Sequence, residues 1–95
     1  MKRIVETIFP SDPQVFDATV LGDAIRACRT QAGLSIQEAA RSIGVAKQTL
    51  SDLEAGKPTV KLELVLKIAR DLGVNLFVVQ NSDTERLKRA LAQNN

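Results

Sequence analysis

Five polar side chains stand close together near the middle of the chain, and their types could hydrogen-bond to the edges of nucleic-acid bases. An amide can pair with adenine through two hydrogen bonds, an ammonium group can donate to guanine, and a carboxylate can accept from cytosine. The five candidates for base contact are Lys47, Gln48, Thr49, Ser51 and Asp52. An outward polar face on a helix is ordinarily only solvated, so the elements that carry these residues decide between the two interpretations.

The flanking residues predict two short helices joined by a tight turn. Ser35 and Glu38 have the spacing of a capping box, so a helix should begin near Ile36. Gly44 can adopt a positive φ and should end that helix, and a second helix should follow over residues 46–54. The inward-facing residues are expected to be Ala39, Ala40, Ile43, Leu50 and Leu53. This is the layout of a helix-turn-helix, whose second helix enters the major groove of double-stranded DNA.

A second set of polar and basic side chains surrounds these helices and could contact phosphate. Such contacts fix the register of a protein on a duplex without reading its sequence. The candidates are Ser35, Gln37, Arg41, Lys57 and Lys61. Lys57 and Lys61 could equally be loop residues that serve solubility.

The chain resembles the XRE/Cro/434-repressor type of helix-turn-helix over roughly residues 18–80. The matching residues are Leu34-Ser35, Glu38-Ala39-Ala40, Ile43-Gly44-Val45, Leu50-Ser51, Leu53-Glu54, Gly56, Leu66-Lys67-Ile68-Ala69 and Leu72-Gly73. The resemblance implies a mainly α, four- to five-helix lambda-repressor-like domain that acts as a repressor. It also implies a buried salt bridge between Arg29 and Glu54. The family often has Gln where this chain has Ile36, so the resemblance implies no DNA contact at that position.

Helix signals extend through the rest of the chain. Helices are predicted over residues 18–32 after an Asp17 cap, over 61–72, and over 84–92 in the tail. The expected buried stripes contain Leu21, Ile25 and Cys28 or Ala32 on the first helix, and Leu62, Val65, Leu66, Ala69 and Leu72 on the fourth. The chain then divides into an arm or short strand at 1–16, a DNA-binding domain at 17–80, and a tail at 81–95.

The run Leu76, Phe77, Val78 and Val79 is rich in β-formers and predicts a strand over residues 75–80. One strand cannot stand alone, so it must pair with residues 3–9 or with the same strand of a second subunit. The second choice gives a two-fold homodimer whose recognition helices lie roughly 34–36 Å apart and read a palindromic operator. Residues 56–60 through 76–79 also resemble HipB-like antitoxins. That resemblance implies a HipA-type toxin kinase as partner and autoregulation of a toxin–antitoxin operon.

Composition excludes several other functions. The 95 residues include no His and one Cys, Cys28, so an activated nucleophile and the commonest metal ligand are missing. We therefore expect no enzyme activity, no cofactor and no metal. The net charge of +2 permits nucleic-acid binding, and the lack of a sustained apolar run predicts a cytoplasmic protein that does not enter a membrane.

Three hypotheses remain open. The first is a dimeric repressor that is also an antitoxin, and the second is a stand-alone XRE-family regulator without a toxin. The third is a protein-interaction module whose helix-turn-helix no longer reads DNA.

Overall fold

The computed structural model describes residues 3–93, which form five α-helices and a short 3-10 helix. The helices are α1 (Ala18–Gln31), α2 (Ile36–Ile43), α3 (Lys47–Glu54), α4 (Leu62–Leu72) and α5 (Thr84–Ala92), with the 3-10 helix at Asn81–Asp83. The predicted mainly α architecture is confirmed, and each boundary lies within one residue of its expected position. Within residues 3–93, no helix is long and apolar enough to cross a membrane.

The helix ends follow from side-chain caps and from glycine. Asp17 accepts a hydrogen bond from the Thr19 amide at 2.9 Å and so begins α1. Ser35 and Glu38 form a reciprocal capping box at the start of α2, with bonds of 3.1 and 2.9 Å. Gly44 takes a φ of 87° at the end of α2, a conformation that a side chain would strain.

The capping box makes part of the stability depend on pH. The Ser35 amide donates to the Glu38 carboxylate, and this hydrogen bond, followed by the nearby Ser35 side chain, lowers the pKa of Glu38. A lowered pKa in the folded state adds stability above the unfolded pKa, and this stability is lost as pH falls through the folded pKa.

We therefore expect the wild type to lose more unfolding free energy between about pH 6 and about pH 3 than Glu38→Gln does. Urea unfolding followed by circular dichroism at both pH values measures this difference. The two proteins should converge in stability at the acid end. An identical loss in both would show that the capping box does not contribute through its charge.

The core is aliphatic and lies where α1 packs on α3 and α4, and where α2 packs on the same two helices. Its largest fully buried side chains are Ile25, Leu50, Leu53 and Ile68. Alanines fill the close helix contacts, among them Ala24, Ala39 and Ala40. Cys28 is partly buried at the edge of this core, and burial raises the pKa of its thiol, which keeps it protonated.

Two of the expected core positions on α4 are wrong. On α1, where Cys28 or Ala32 was expected, Cys28 packs against the core, and Ala32 is exposed because it is the C-cap, where the chain leaves the helix. Leu62 and Leu66 are 69% and 49% exposed, and Ile68, which was not among the expected residues, is fully buried. The buried face of α4 runs through residues 65, 68, 69 and 72, so Leu66 lies off that face and Leu62 belongs to the first turn.

The predicted strand over residues 75–80 is not seen, and residues 3–9 form no strand either, within the part of the chain that the structure describes. A strand needs a neighbour for its backbone groups, and residues 3–9 are engaged elsewhere. The Thr7 amide donates to Thr30 Oγ1 at 2.9 Å, and Gln31 Nε2 donates to the Thr7 carbonyl at 2.8 Å. The N-terminal segment is therefore an arm held against the end of α1. Residues 75–80 then have no neighbouring strand to pair with in the single chain.

Candidate nucleic-acid interface

Helix α3 has one apolar face and one polar face. Leu50 and Leu53 point into the core, while Lys47 and Gln48 at its start are exposed. The other candidates for base contact, Thr49, Ser51 and Asp52, are half-buried. The first turn of α3 thus exposes the ammonium group of Lys47 and the amide of Gln48 to solvent. Residues at the N-terminal end are the ones expected to contact bases when a helix enters the major groove.

The turn before α3 fixes the direction in which that end points. The Gly44 and Val45 amides both donate to the Ala40 carbonyl, at 2.9 and 3.0 Å. Val45 also packs against the core, so both a backbone hydrogen bond and an apolar contact hold the turn. Ala46, the N-cap of α3, has no side-chain acceptor to offer the first amides of the helix. These amides favour an anion such as phosphate.

A buried ion pair joins α3 to α1. Arg29 Nε lies 2.6 Å from Glu54 Oε2, and Arg29 Nη2 donates to Glu54 Oε1 at 2.8 Å. Arg29 Nη1 also donates to the Leu34 carbonyl at 2.8 Å, which ties the loop before α2 to the same point. The structure thus brings together the two residues of the implied salt bridge, and their geometry fixes the C-terminal end of α3 on the helical core.

Sequence reasoning missed two residues of this junction. Arg26 Nε makes a second contact with Glu54 Oε1, at 3.2 Å. Gly22 is buried where α1 crosses the end of α3, and a Cβ built on it would lie 2.5 Å from the Leu53 carbonyl oxygen. Two sequence features could have indicated them. Arg26 lies three residues before Arg29, and Gly22 lies inside an amphipathic helix, where glycine is otherwise unfavourable.

The polar face of α3 carries a small hydrogen-bonded cluster, here called the Asp52 cluster: Gln48, Asp52 and Lys57. Gln48 Nε2 donates to Asp52 Oδ1 at 2.8 Å, and Lys57 Nζ lies 3.2 Å from the same oxygen. The hydrogen bond from Gln48, followed by that from Lys57, holds the pKa of Asp52 below its usual range. The carboxylate therefore stays ionised, with its charge partly balanced by Lys57.

The candidates for phosphate contact differ in availability. Gln37 and Arg41 are exposed and lie one turn apart on one face of α2, and Lys61 is exposed at the start of α4. Lys57 is exposed but pairs with Asp52. The Ser35 hydroxyl oxygen accepts from the Glu38 amide in the capping box, so only its proton is left for a phosphate oxygen.

The fold and the interface define a helix-turn-helix domain. A sequence model described as helix-turn-helix matches residues 25–79, which is more than half of the chain. The chain therefore belongs to this family, and the predicted resemblance to its XRE-type members is confirmed.

Two curated relatives carry similar names. The chain is 39% identical over 70 residues to a protein of Pyrobaculum aerophilum named as an HTH-type transcriptional regulatory protein, covering 74% of this chain and 26% of that protein. It is 34% identical over 59 residues to a protein of Sinorhizobium fredii named as an HTH-type transcriptional regulator, covering 62% of this chain and 78% of that protein. The chain thus spans about a quarter of the archaeal relative's length. No solved structure was found to match it.

Proposed function

We propose that this chain is a sequence-specific DNA-binding transcriptional regulator that represses its target promoter. The observation that carries the proposal is the exposed pair Lys47 and Gln48 at the start of α3, on a helix whose opposite face is locked into the core. The two relatives are named as transcriptional regulators, which supports the regulatory part of this proposal.

In this proposal the two residue sets have separate roles. Lys47 and Gln48 read base edges, with Thr49, Ser51 and Asp52 beside them, and a good bidentate contact discriminates by about 1–3 kcal/mol. Gln37, Arg41, Lys57, Lys61 and the Ser35 proton hold phosphates and set the register. Because phosphate contacts release counterions, affinity should fall steeply with salt.

We expect Gln48→Ala and Lys47→Ala to remove the footprint of the protein on the promoter upstream of its own gene. Each loses base contacts worth roughly ten-fold or more in affinity for the site. Footprinting and gel shifts at roughly 50 mM and 200 mM salt measure this loss against non-specific binding. Gln93→Ala, which removes an exposed amide beyond α5, is the matched control and should keep the footprint.

Weak binding that is equal for all duplexes in the wild type would contradict the proposal. That result would favour the alternative of an interaction module that no longer reads DNA.

We propose further that the regulator binds as a homodimer in which residues 75–80 of two chains pair. The support is an exposed apolar run: Phe77 is 80% exposed and Val78 is fully exposed, at 101%. Large apolar side chains in a contiguous exposed run mark an interaction surface. Pairing them across a two-fold axis would also satisfy the backbone groups of this segment.

We expect Val78→Asp to convert the dimer into a monomer, because a carboxylate would be buried at the two-fold axis in each chain. Sedimentation equilibrium measures the change in mass. Asp71→Asn, an exposed substitution on α4, is a control that should leave the mass unchanged. If the wild type is itself a monomer at concentrations that saturate DNA, the proposed dimer is wrong.

A second candidate function, antitoxin of a HipA-type kinase, is favoured by a groove of about 730 Å³. The arm, α1, residues 74–79 and α5 line it, with apolar side chains that include Phe9, Leu21 and Leu91. Such a groove suits an apolar segment of a partner protein. A kinase encoded beside this gene should co-purify with the wild type and not with Leu91→Asp, and the absence of such a neighbour would count against this role.

A further inference from the structure

The Asp52 cluster constrains the side chain that the proposed function places against a base. Gln48 and Asp52 are one helical turn apart on α3, where an amide and a carboxylate can meet. Lys57 returns to the same turn because its backbone amide donates to the Asp52 carbonyl at 3.0 Å, after Gly56 with a φ of 77°. Both the helix and the loop that follows it therefore hold this carboxylate in place.

The chemistry of a carboxylate decides which end of the Gln48 amide it binds. An ionised carboxylate only accepts hydrogen bonds, so the group that faces Asp52 must be the NH₂ of Gln48. Without this partner, the amide could turn over and exchange its oxygen with its nitrogen. With Asp52 in place, Gln48 keeps one N–H and its carbonyl oxygen for a base, with their order fixed.

A fixed order matters because the purines differ in this respect. Adenine presents an acceptor, N7, beside a donor, the N6 amino group, whereas guanine presents two acceptors, N7 and O6. An amide that offers one N–H and one oxygen side by side matches adenine, and at guanine its oxygen would face O6. Resting on the proposed function, we infer that Asp52 is a positioning residue that orients Gln48 and thereby makes the protein prefer adenine over guanine at one base pair.

Lys57 supplies the positive charge of the Asp52 cluster. A carboxylate near the floor of a groove would repel the phosphates, and the ammonium group at 3.2 Å offsets that repulsion. The cluster can therefore lie in the major groove while the Asp52 carboxylate stays hydrogen-bonded to Gln48. A carboxylate that instead read cytosine directly would act at a different base pair, which separates the two roles experimentally.

The test uses the full chain and duplexes selected from a random library by the wild type. The Gln48 base pair is the one at which Gln48→Ala loses its preference. At that pair, dissociation constants for A·T and G·C duplexes are compared by fluorescence anisotropy. We expect the wild type to prefer adenine roughly ten-fold or more. In Asp52→Asn the ratio should fall toward one, because asparagine both donates and accepts and no longer fixes the amide.

Two further variants sharpen the result. Gln48→Ala/Asp52→Asn should show the same ratio as Gln48→Ala alone, because Asp52 acts through Gln48. Asp71→Asn makes the same change in net charge on exposed α4 and should keep the wild-type ratio. Circular dichroism should show Asp52→Asn to be folded, since the side-chain partners of Asp52 are the exposed Gln48 and Lys57.

The inference is overturned if Asp52→Asn keeps the wild-type ratio, if the wild type prefers guanine at the Gln48 pair, or if the substitution alters preference at a different pair. These outcomes leave sequence-specific binding intact. A wild type that enriches no sequence at all would instead overturn the proposed function, and the inference with it.

Discussion

Replacing Glu54 by alanine is expected to destabilise the domain by about 3–5 kcal/mol, a large share of the roughly 5–15 kcal/mol that holds small proteins folded. The Glu54 side chain is fully buried and accepts from Arg29 through both of its oxygens. Removing it leaves the nearly buried guanidinium of Arg29 without its counter-charge. The unpaired charge, more than the lost attraction, accounts for the size of this effect.

Urea unfolding followed by circular dichroism is the appropriate measurement, because the chain has no Trp or Tyr to report by fluorescence. The double variant Arg29→Met/Glu54→Leu is the control. It removes both charges and fills similar space, so it should be much closer to the wild type than Glu54→Ala. A loss below about 1 kcal/mol in Glu54→Ala would mean that Arg29 finds water or another partner at no cost.

Gly22→Ala is expected to destabilise the domain by about 1–3 kcal/mol, although alanine is normally better than glycine inside a helix by about 1 kcal/mol. An added Cβ would lie 2.5 Å from the Leu53 oxygen and 2.8 Å from the Glu54 oxygen. Both are backbone atoms at the end of α3 and cannot rotate away as a side chain could. Overlap therefore outweighs helix propensity, and α1 and α3 must move apart.

The same separation should weaken DNA binding, because the packing of α1 on α3 sets the orientation of α3 relative to the core. Urea unfolding and a gel shift on the folded fraction measure the two effects. Asp23→Ala, at the next and exposed position of α1, adds helix propensity without a contact and should stay within about 0.5 kcal/mol of the wild type. A Gly22→Ala protein as stable as the wild type would show that the two helices adjust freely.

Local signals predicted the helices well because each helix end is a local event. Asp17, the pair Ser35 and Glu38, and Gly44 act through hydrogen bonds or a dihedral angle within a few residues of themselves. The exposed polar tip of α3 follows from the same local pattern, since Leu50 and Leu53 fix which way the helix turns. These features needed no knowledge of the tertiary structure.

What failed depends on contacts between distant parts of the chain. Ile68 is buried and Leu66 is not because of where α1 and α2 lie against α4, which the periodicity of α4 alone cannot reveal. The predicted strand at 75–80 fails in the single chain because β-structure requires a partner, and Thr7 binds the end of α1 instead. The role of Gly22 likewise depends on how closely another helix approaches.

The central claim is that the exposed start of α3 enters the major groove, and an NMR titration with a selected duplex tests it most directly. We predict that the largest amide shift changes fall on residues 47–52, with smaller ones at the start of α2 and around Lys57 and Lys61. Changes confined to the arm, residues 74–79 and α5, with residues 47–52 unaffected, would contradict this account.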